Sequence, residues 1–205
     1  MVGLVENQKS VLGLIYWPIK KKMYLAESGK GAFCYNEEWE KIEVTMMAEM
    51  QNCQALVSRH HLSEKEKKLL DEMEISVVTS IGSSLKVTEI ASGEAEIYIT
   101  TTDKMKQWDT CASNCIISEA GGKMTDISGN DMVYNTESVN HENGILVTNG
   151  IIILSFVPWS KDWYKRKSES KWKNAEKYGA FKKGYIGLQD HDSPLWFRNI
   201  KIRKL

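Results

Sequence analysis

Hydrophobic positions in the first forty residues come in short runs broken by polar turns. "GLVENQKSVLGLIYWP" holds two apolar runs around "ENQK", and "KKKMYLAESGKGAFCYN" repeats the arrangement around "SGKG". Residues 2 to 35 therefore predict a β-meander whose first strand opens at Val2. From about residue 54 strands and helices alternate, as expected of a mainly parallel or mixed sheet with helices on its faces. "QALVS" is a short apolar strand. Ser63 and Glu66 form a capping box that opens a helix running through Met73. "ISVVTS" is β-branched, and "SSLKVTEIASG" is a helix closed by Gly93. "EAEIYIT" alternates as a strand, "DTCASNCIISEAGG" is a helix with an N-cap acid and a terminal glycine, and "GILVTNG" closes the pattern as a strand.

Beyond Gly150 the rhythm changes. Residues 158 to 178 are dense in Trp, Lys and Ser without a clear period. "GYIGLQDHDSPLWFRNIKIRKL" reads as two strands around "DHDSP", with Trp196, Ile200 and Ile202 on one face. The fold class expected is α/β, with a short β-rich C-terminal tail. Its parts are a meander (1–42), an α/β half (43–150), a junction (151–157) and the tail (158–205).

Composition narrows the function classes. A chain of 205 residues can bury a substantial core. Lys plus Arg and Asp plus Glu are both 27, and a net charge of zero argues against a nucleic-acid platform. The opening "MVGLVENQKS" lacks the apolar run of a secretory signal, and "GIIILSFVPW" is too short to span a bilayer. These features lead us to expect a soluble, cytoplasmic protein. Cys34, Cys53, Cys111 and Cys115 form no framework. Cys111 and Cys115 share a helix face, but with no second Cys/His pair at zinc spacing they read as small buried hydrophobes.

Three stretches carry candidate chemistry, each with a plainer alternative. Asp109 is either a helix cap or a carboxylate ligand for a hard cation such as Mg²⁺. In "TSIGSSLK" a strand ends and Gly82 allows a tight turn. Ser83 and Ser84 then stand at a helix N-terminus suited to phosphate, with Lys86 one turn in as a point charge. The alternative is a Ser-capped helix with a surface lysine. "VSRHHLS" puts Ser58 and His61 at the carboxyl end of a strand, where ligands of open α/β sheets bind; a solvated loop is the alternative.

Taken in order, "SRHH", "SIGSSLK" and "KQWDTCASNCIISEAGGKMTDISGN" resemble the Mg²⁺-dependent phosphatases of the inositol monophosphatase superfamily. The pattern W-D-x-x-A-x-x-x-I-x-x-E-A-G-G is matched from Trp108 to Gly122. "GSSLK" and the Ser-Arg-x-His loop favour the 3'(2'),5'-bisphosphate nucleotidase branch. Over residues 1 to 150 the resemblance implies part of a sugar-phosphatase-type layered sandwich, a meander followed by a mixed sheet with helices. It implies Asp109 as a metal ligand, with Ser58, His61, Gly82 and Lys86 contacting nucleotide and phosphate, and Ser83 and Ser84 lining the same turn. It further implies Mg²⁺ as cofactor, a small nucleotide phosphate as substrate, frequent homodimers, and hydrolysis of 3'-phosphoadenosine 5'-phosphate to AMP.

The family's remaining metal ligands, a glutamate and a D-P-[IL]-D-G-T segment, have no counterpart in this sequence, which contains no Asp-Pro dipeptide. We therefore expect the 205 residues by themselves to be inactive. The alternatives are an inositol monophosphatase-like specificity, a non-catalytic nucleotide-binding remnant, or a carbohydrate-active module in the tail. That tail resembles the closing run of the 3-keto-disaccharide hydrolase domain family, with Asp192 where a glycine is usual.

Overall fold

A computed structural model describes residues 1–47, 52–58, 62–75, 77–150, 161–169 and 173–174. The chain divides into two compact units, Met1–Ile153 and Leu154–Leu205. In the first, strands β1 (Val2–Glu6), β2 (Lys9–Trp17), β3 (Lys22–Glu27), β4 (Gly31–Asn36) and β5 (Glu38–Ile42) form one antiparallel sheet in chain order. The meander of the sequence is therefore present, and it runs one strand further than residue 35. Asn7 and Gln8, in the "ENQK" turn, both take positive φ (49° and 64°). Two such residues in succession make the tight primed turn whose twist suits a hairpin.

The second sheet contains β6 (Gln54–Ser58), β7 (Val77–Ile81), β8 (Ile97–Thr100), β9 (Lys123–Thr125) and β10 (Ile145–Thr148), in the order β7-β6-β8-β10-β9. The β6 strand runs parallel to β7 and β8, whereas β10 is antiparallel to β8 and β9. The sheet is thus mixed, as its pattern predicts. Helices α1 (Glu64–Glu72), α2 (Leu85–Ala91) and α3 (Gln107–Glu119) alternate with these strands.

Side-chain parity sets the layers. Ala55, Val57, Ile97 and Ile99 point to one face of the second sheet and bury with Leu70 of α1. Leu56 and Tyr98 point to the other and join α2 and α3 residues Val87, Ile90, Ile116 and Ile117. The same cluster takes Ile15, Tyr24, Ala26 and Ala32 from the first sheet. The order is therefore first sheet, α2 with α3, second sheet, α1. Glu119 of the E-A-G-G motif pins the end of α3 to the "SGKG" turn, accepting N–H bonds from Gly29 (2.9 Å) and Gly31 (2.8 Å).

Ser63 caps α1 with both arms of the capping box, as its sequence predicts. All four cysteines are buried, and none forms a disulfide among the described residues. One expectation changes here. The N-cap of α3 is Lys106, not an acid: Asp109 lies at the third helical position and its Oδ2 accepts the Lys106 N–H at 2.8 Å. Asp109 thus satisfies the helix start from inside its first turn, which is the returning half of a capping box.

The second unit contains a further helix, α4 (Lys161–Glu169), where no period is visible. Its residues are mostly charged, and Trp163 packs with Lys167 one turn on (5.7 Å from ammonium to ring centre), so an apolar stripe is lacking. The two strands expected after Gly184 lie outside the described residues, as do 151–157.

Candidate functional site

The parity that buries Leu56 and Tyr98 under the helices brings Ser58, the last residue of β6, to the same side. There the β7–α2 turn and the first turn of α3 converge on it. Together they enclose a cavity of about 240 Å³ lined by Ser58, Ser83, Ser84, Lys86, Tyr98 and Asp109, among others. Five of the seven candidate residues thus share one wall. Gly82 lies in the same turn without lining that wall, and His61 lies outside the described residues.

Lys86 is the dominant charge. It is 3% exposed, and its Nζ donates to the carbonyls of Ser83 (2.9 Å) and Ile81 (3.2 Å). The ammonium stands 4.6 Å from the centre of the Tyr98 ring, a cation–π contact. Among the described residues no carboxylate pairs with it. Burial brings its pKa down to about 8. The surface lysine of the plainer alternative is therefore not found: the side chain is buried, and its charge faces a cavity without a counter-ion among the described residues.

The tight turn is also carried differently from the expectation. Gly82 does not have a positive φ, whereas Ser83 does (57°). The Ser83 carbonyl is held by the Lys86 ammonium, which fixes the left-handed residue in place. Ser84 begins α2 without a side-chain cap and donates its Oγ to the Asp109 carbonyl at 3.2 Å, tying the two helix starts together. A Cβ built on Gly82 meets nothing within 4 Å. Gly82→Ala is accordingly expected to leave the melting temperature within about 2 °C of the parent, measured by calorimetry.

Beside this cavity opens a second of about 450 Å³, sharing Ser58 and Tyr98 with it and bounded by Ser63, Glu66, Thr101 and Lys104. Burial works to raise the pKa of Glu66, but N–H bonds from Ser63 and Thr101 outweigh it and hold the carboxyl below its ordinary value. Tyr98, whose hydroxyl bonds Ser58 and Thr100, has its pKa raised by burial. Sequence reasoning missed Tyr98. The signal was present in "EAEIYIT", where Tyr98 alternates with Ile97 and Ile99 and so faces the helices. On the far side of α3's start, His141 Nε2 lies 2.8 Å from Thr110 Oγ1. Burial lowers the His141 pKa, and the Asp109 charge opposes that shift.

Magnesium does not fit these residues by themselves. Among the described residues no three His, Cys, Asp or Glu side chains stand together to hold a metal ion. Asp109 offers a single carboxylate, and one of its oxygens already accepts the Lys106 N–H. One such group leaves Mg²⁺ with most of its waters and little affinity.

A meander packed through two helices on a mixed sheet, with an anion-favouring cavity at the carboxyl end of β6, is the architecture of a phosphatase family. Residues 1–156 match the inositol monophosphatase family, and the chain belongs to it. Among its relatives is the 3'(2'),5'-bisphosphate nucleotidase CysQ of Salmonella typhimurium, 31% identical over 147 residues, which are 72% of this chain and 58% of that one. The counterpart in Escherichia coli K12 is 29% identical over 133 residues, 65% of this chain and 52% of its own. The crystal structure of CysQ from Bacteroides thetaiotaomicron superposes with a TM-score of 0.63 at 25% identity, covering 73% of this chain and 62% of that one. A Thermotoga maritima IMPase superposes at 0.61 with 26% identity, covering 73% of this chain and 55% of its own. The chain thus spans between half and about three-fifths of the length of these relatives. No helix among the described residues is long and apolar enough to cross a membrane.

Proposed function

We propose that this chain is the nucleotide-binding part of a Mg²⁺-dependent phosphomonoester hydrolase that converts 3'-phosphoadenosine 5'-phosphate to AMP and phosphate. In that reaction water attacks phosphorus, the bond to the ribose 3' oxygen breaks, and the departing oxygen takes a proton. Lys86 provides the fixed positive charge for a phosphate, Ser58, Ser83 and Ser84 provide hydroxyl donors, Gly82 belongs to the same turn, and His61 is proposed as a further contact to the nucleotide. Asp109 would supply one carboxylate toward the metal.

The observation that carries this reading is the buried Lys86 ammonium, facing a cavity of about 240 Å³ with hydroxyls around it. A buried cation without an ion-pair partner is costly, and an incoming phosphate removes that cost. Two features favour a nucleotide over an inositol phosphate. A second cavity of about 450 Å³ adjoins the anion position and has room for a nucleoside. Tyr98 lies at the boundary of both.

Because Asp109 belongs to no group of three or more metal-capable side chains among the described residues, the isolated 205-residue chain is expected to show no appreciable turnover. The assay is phosphate release from 3'-phosphoadenosine 5'-phosphate with millimolar Mg²⁺. Robust release by the purified chain would overturn the single-carboxylate reading. Tighter binding of inositol 1-phosphate than of AMP would overturn the nucleotide assignment.

A further inference from the structure

The capping box of α1 uses only half of its carboxylate. Glu66 Oε2 meets the ordinary need of a helix start by accepting the Ser63 N–H at 2.8 Å. The other oxygen, Oε1, reaches 35 residues along the chain, where it accepts the Thr101 N–H at 2.5 Å and the Thr101 hydroxyl at 3.3 Å. The Thr100 hydroxyl adds a further bond to the same carboxylate. Glu66 is 2% exposed, and no ion pair of the described residues includes it. Burying a carboxylate is costly unless hydrogen bonds fill its oxygens. Here donors from two separate parts of the chain fill them.

Thr101 begins the segment that joins β8 to α3. Residues 101–105 are neither helix nor strand, and Thr101, Thr102, Lys104 and Met105 form one side of the cavity of about 450 Å³. The segment is held at both ends. At its start Glu66 takes the Thr101 N–H, and at its end the Met105 carbonyl accepts the His141 N–H at 2.9 Å. Between them the Lys104 N–H bonds the Thr102 hydroxyl at 3.2 Å, within the segment itself. Met105 also lines the smaller cavity that Lys86 faces. The wall held by Glu66 therefore runs along the larger cavity and up to the anion position. Lys86 is held independently of it, by the carbonyls of Ile81 and Ser83.

We propose that Glu66 is a positioning residue for the nucleoside part of the ligand: by holding Thr101 it fixes the 101–105 wall, so that a nucleoside monophosphate binds in preference to inorganic phosphate. The inference rests on the nucleotide reading above and extends it from the anion to the group attached to it. Both carboxylate oxygens are occupied, so Glu66 acts through Thr101. A wall already in place spares the ligand the entropy of ordering it. A phosphate held by Lys86 alone makes no use of that wall.

The test titrates AMP and inorganic phosphate separately into the parent, Glu66→Gln and Leu69→Ala chains by calorimetry, with the melting temperature of each measured first. Glutamine keeps the size of the side chain and one acceptor oxygen but turns an N–H₂ group toward backbone donors. It is expected to weaken AMP binding at least about tenfold, the scale of a hydrogen bond to a charged group, and to leave phosphate within about twofold. Leu69→Ala loosens the packing of α1 without touching the Glu66 bonds, and is expected to keep the parent's ratio of AMP to phosphate affinity. A second measurement needs no variant. In the parent, AMP is expected to slow amide hydrogen exchange across residues 101–105 severalfold, whereas inorganic phosphate leaves it unchanged.

Equal AMP affinity in Glu66→Gln and parent, or a loss shared by AMP and phosphate, overturns the inference. A ratio shifted as far by Leu69→Ala reduces Glu66 to a support of the helix and overturns it as well. Should Glu66→Gln fail to fold, the exchange rates decide, and rates at 101–105 indifferent to AMP count against the inference. A parent that binds phosphate but takes up no AMP strikes the nucleotide reading and this inference with it. AMP binding whose ratio to phosphate is unmoved by Glu66→Gln strikes this inference alone.

Discussion

A Gly13→Ala chain is expected to lose about 3 kcal/mol of stability or more, the upper range for overpacking a close contact. Its melting temperature should fall by roughly 10 °C for a unit of this size. Gly13 pairs with Gly3 across the β1–β2 ladder and with Ala26 across β2–β3, on the face that α3 covers. A Cβ built there lies 2.1 Å from the Ala112 carbonyl oxygen and 2.9 Å from its carbon. These are backbone atoms in the middle of α3, so no rotamer can relieve the clash and the helix must lift off the sheet. Lifting α3 also moves Asp109 and the Ser84 bond that joins it to α2. The variant should therefore lose nucleotide affinity along with stability. Calorimetric melts of Gly13→Ala beside Gly82→Ala measure the contrast, since the second addition meets nothing within 4 Å. Equal melting temperatures for the two would show that α3 does not lie on the glycines of β1 and β2.

Lys86→Met should weaken AMP binding at least about tenfold, the scale of one charge-assisted hydrogen bond, without lowering thermal stability at pH 7. Methionine preserves the length and apolar contacts of the side chain while removing a charge whose burial is costly. The pH dependence gives a separate check. In the fold the lysine pKa is lowered from its ordinary 10.5 to about 8, because burial disfavours the charged form. Between those values the unfolded chain holds the proton that the folded chain has released. Stability contributed by this group therefore rises as pH climbs from about 8 toward 10.5 and is flat below that window. The variant should lack the rise. AMP affinity runs the other way: it should be greatest below pH 8, where the ammonium is charged, and decline above it. Melting curves and AMP titrations from pH 6.5 to 10 in both proteins read the two trends. An affinity that climbs above pH 8 would place the binding charge elsewhere.

The elements legible in the sequence are those whose periodicity and punctuation agree. Strands β1 to β4 alternate around two polar turns, and the second sheet's strands are bounded by capped helices. Strand β5 is harder to see because "EWEKI" is largely charged and buries a single residue, Ile42, so alternation cannot register. The three residues of β9 are too few for a period, and their pairing comes from β10. Helix α4, "KDWYKRKSE", has only Trp163 and Tyr164 as large apolar residues, too few to set a period.

At the site, residue types were legible while their geometry was not. "GSSLK" marks an anion-binding turn, but whether Gly82 or Ser83 takes the left-handed conformation depends on the carbonyl that Lys86 holds. "WDTC" marks a helix start, but only the folded geometry shows the Asp109 carboxylate reaching back to accept the Lys106 N–H. Tyr98 enters through the pairing of β8 with β6, which sets it beside Leu56 from 42 residues away.

Calorimetric titration of AMP into the 205-residue chain, parent beside Lys86→Met at pH 7, puts the central claim to its most direct test. The account predicts saturable one-to-one binding by the parent and an affinity at least about tenfold lower in a variant that melts no earlier. A well-folded parent that takes up no AMP, or a variant that binds it as tightly, would contradict the assignment of Lys86 and its cavity to a nucleotide phosphate.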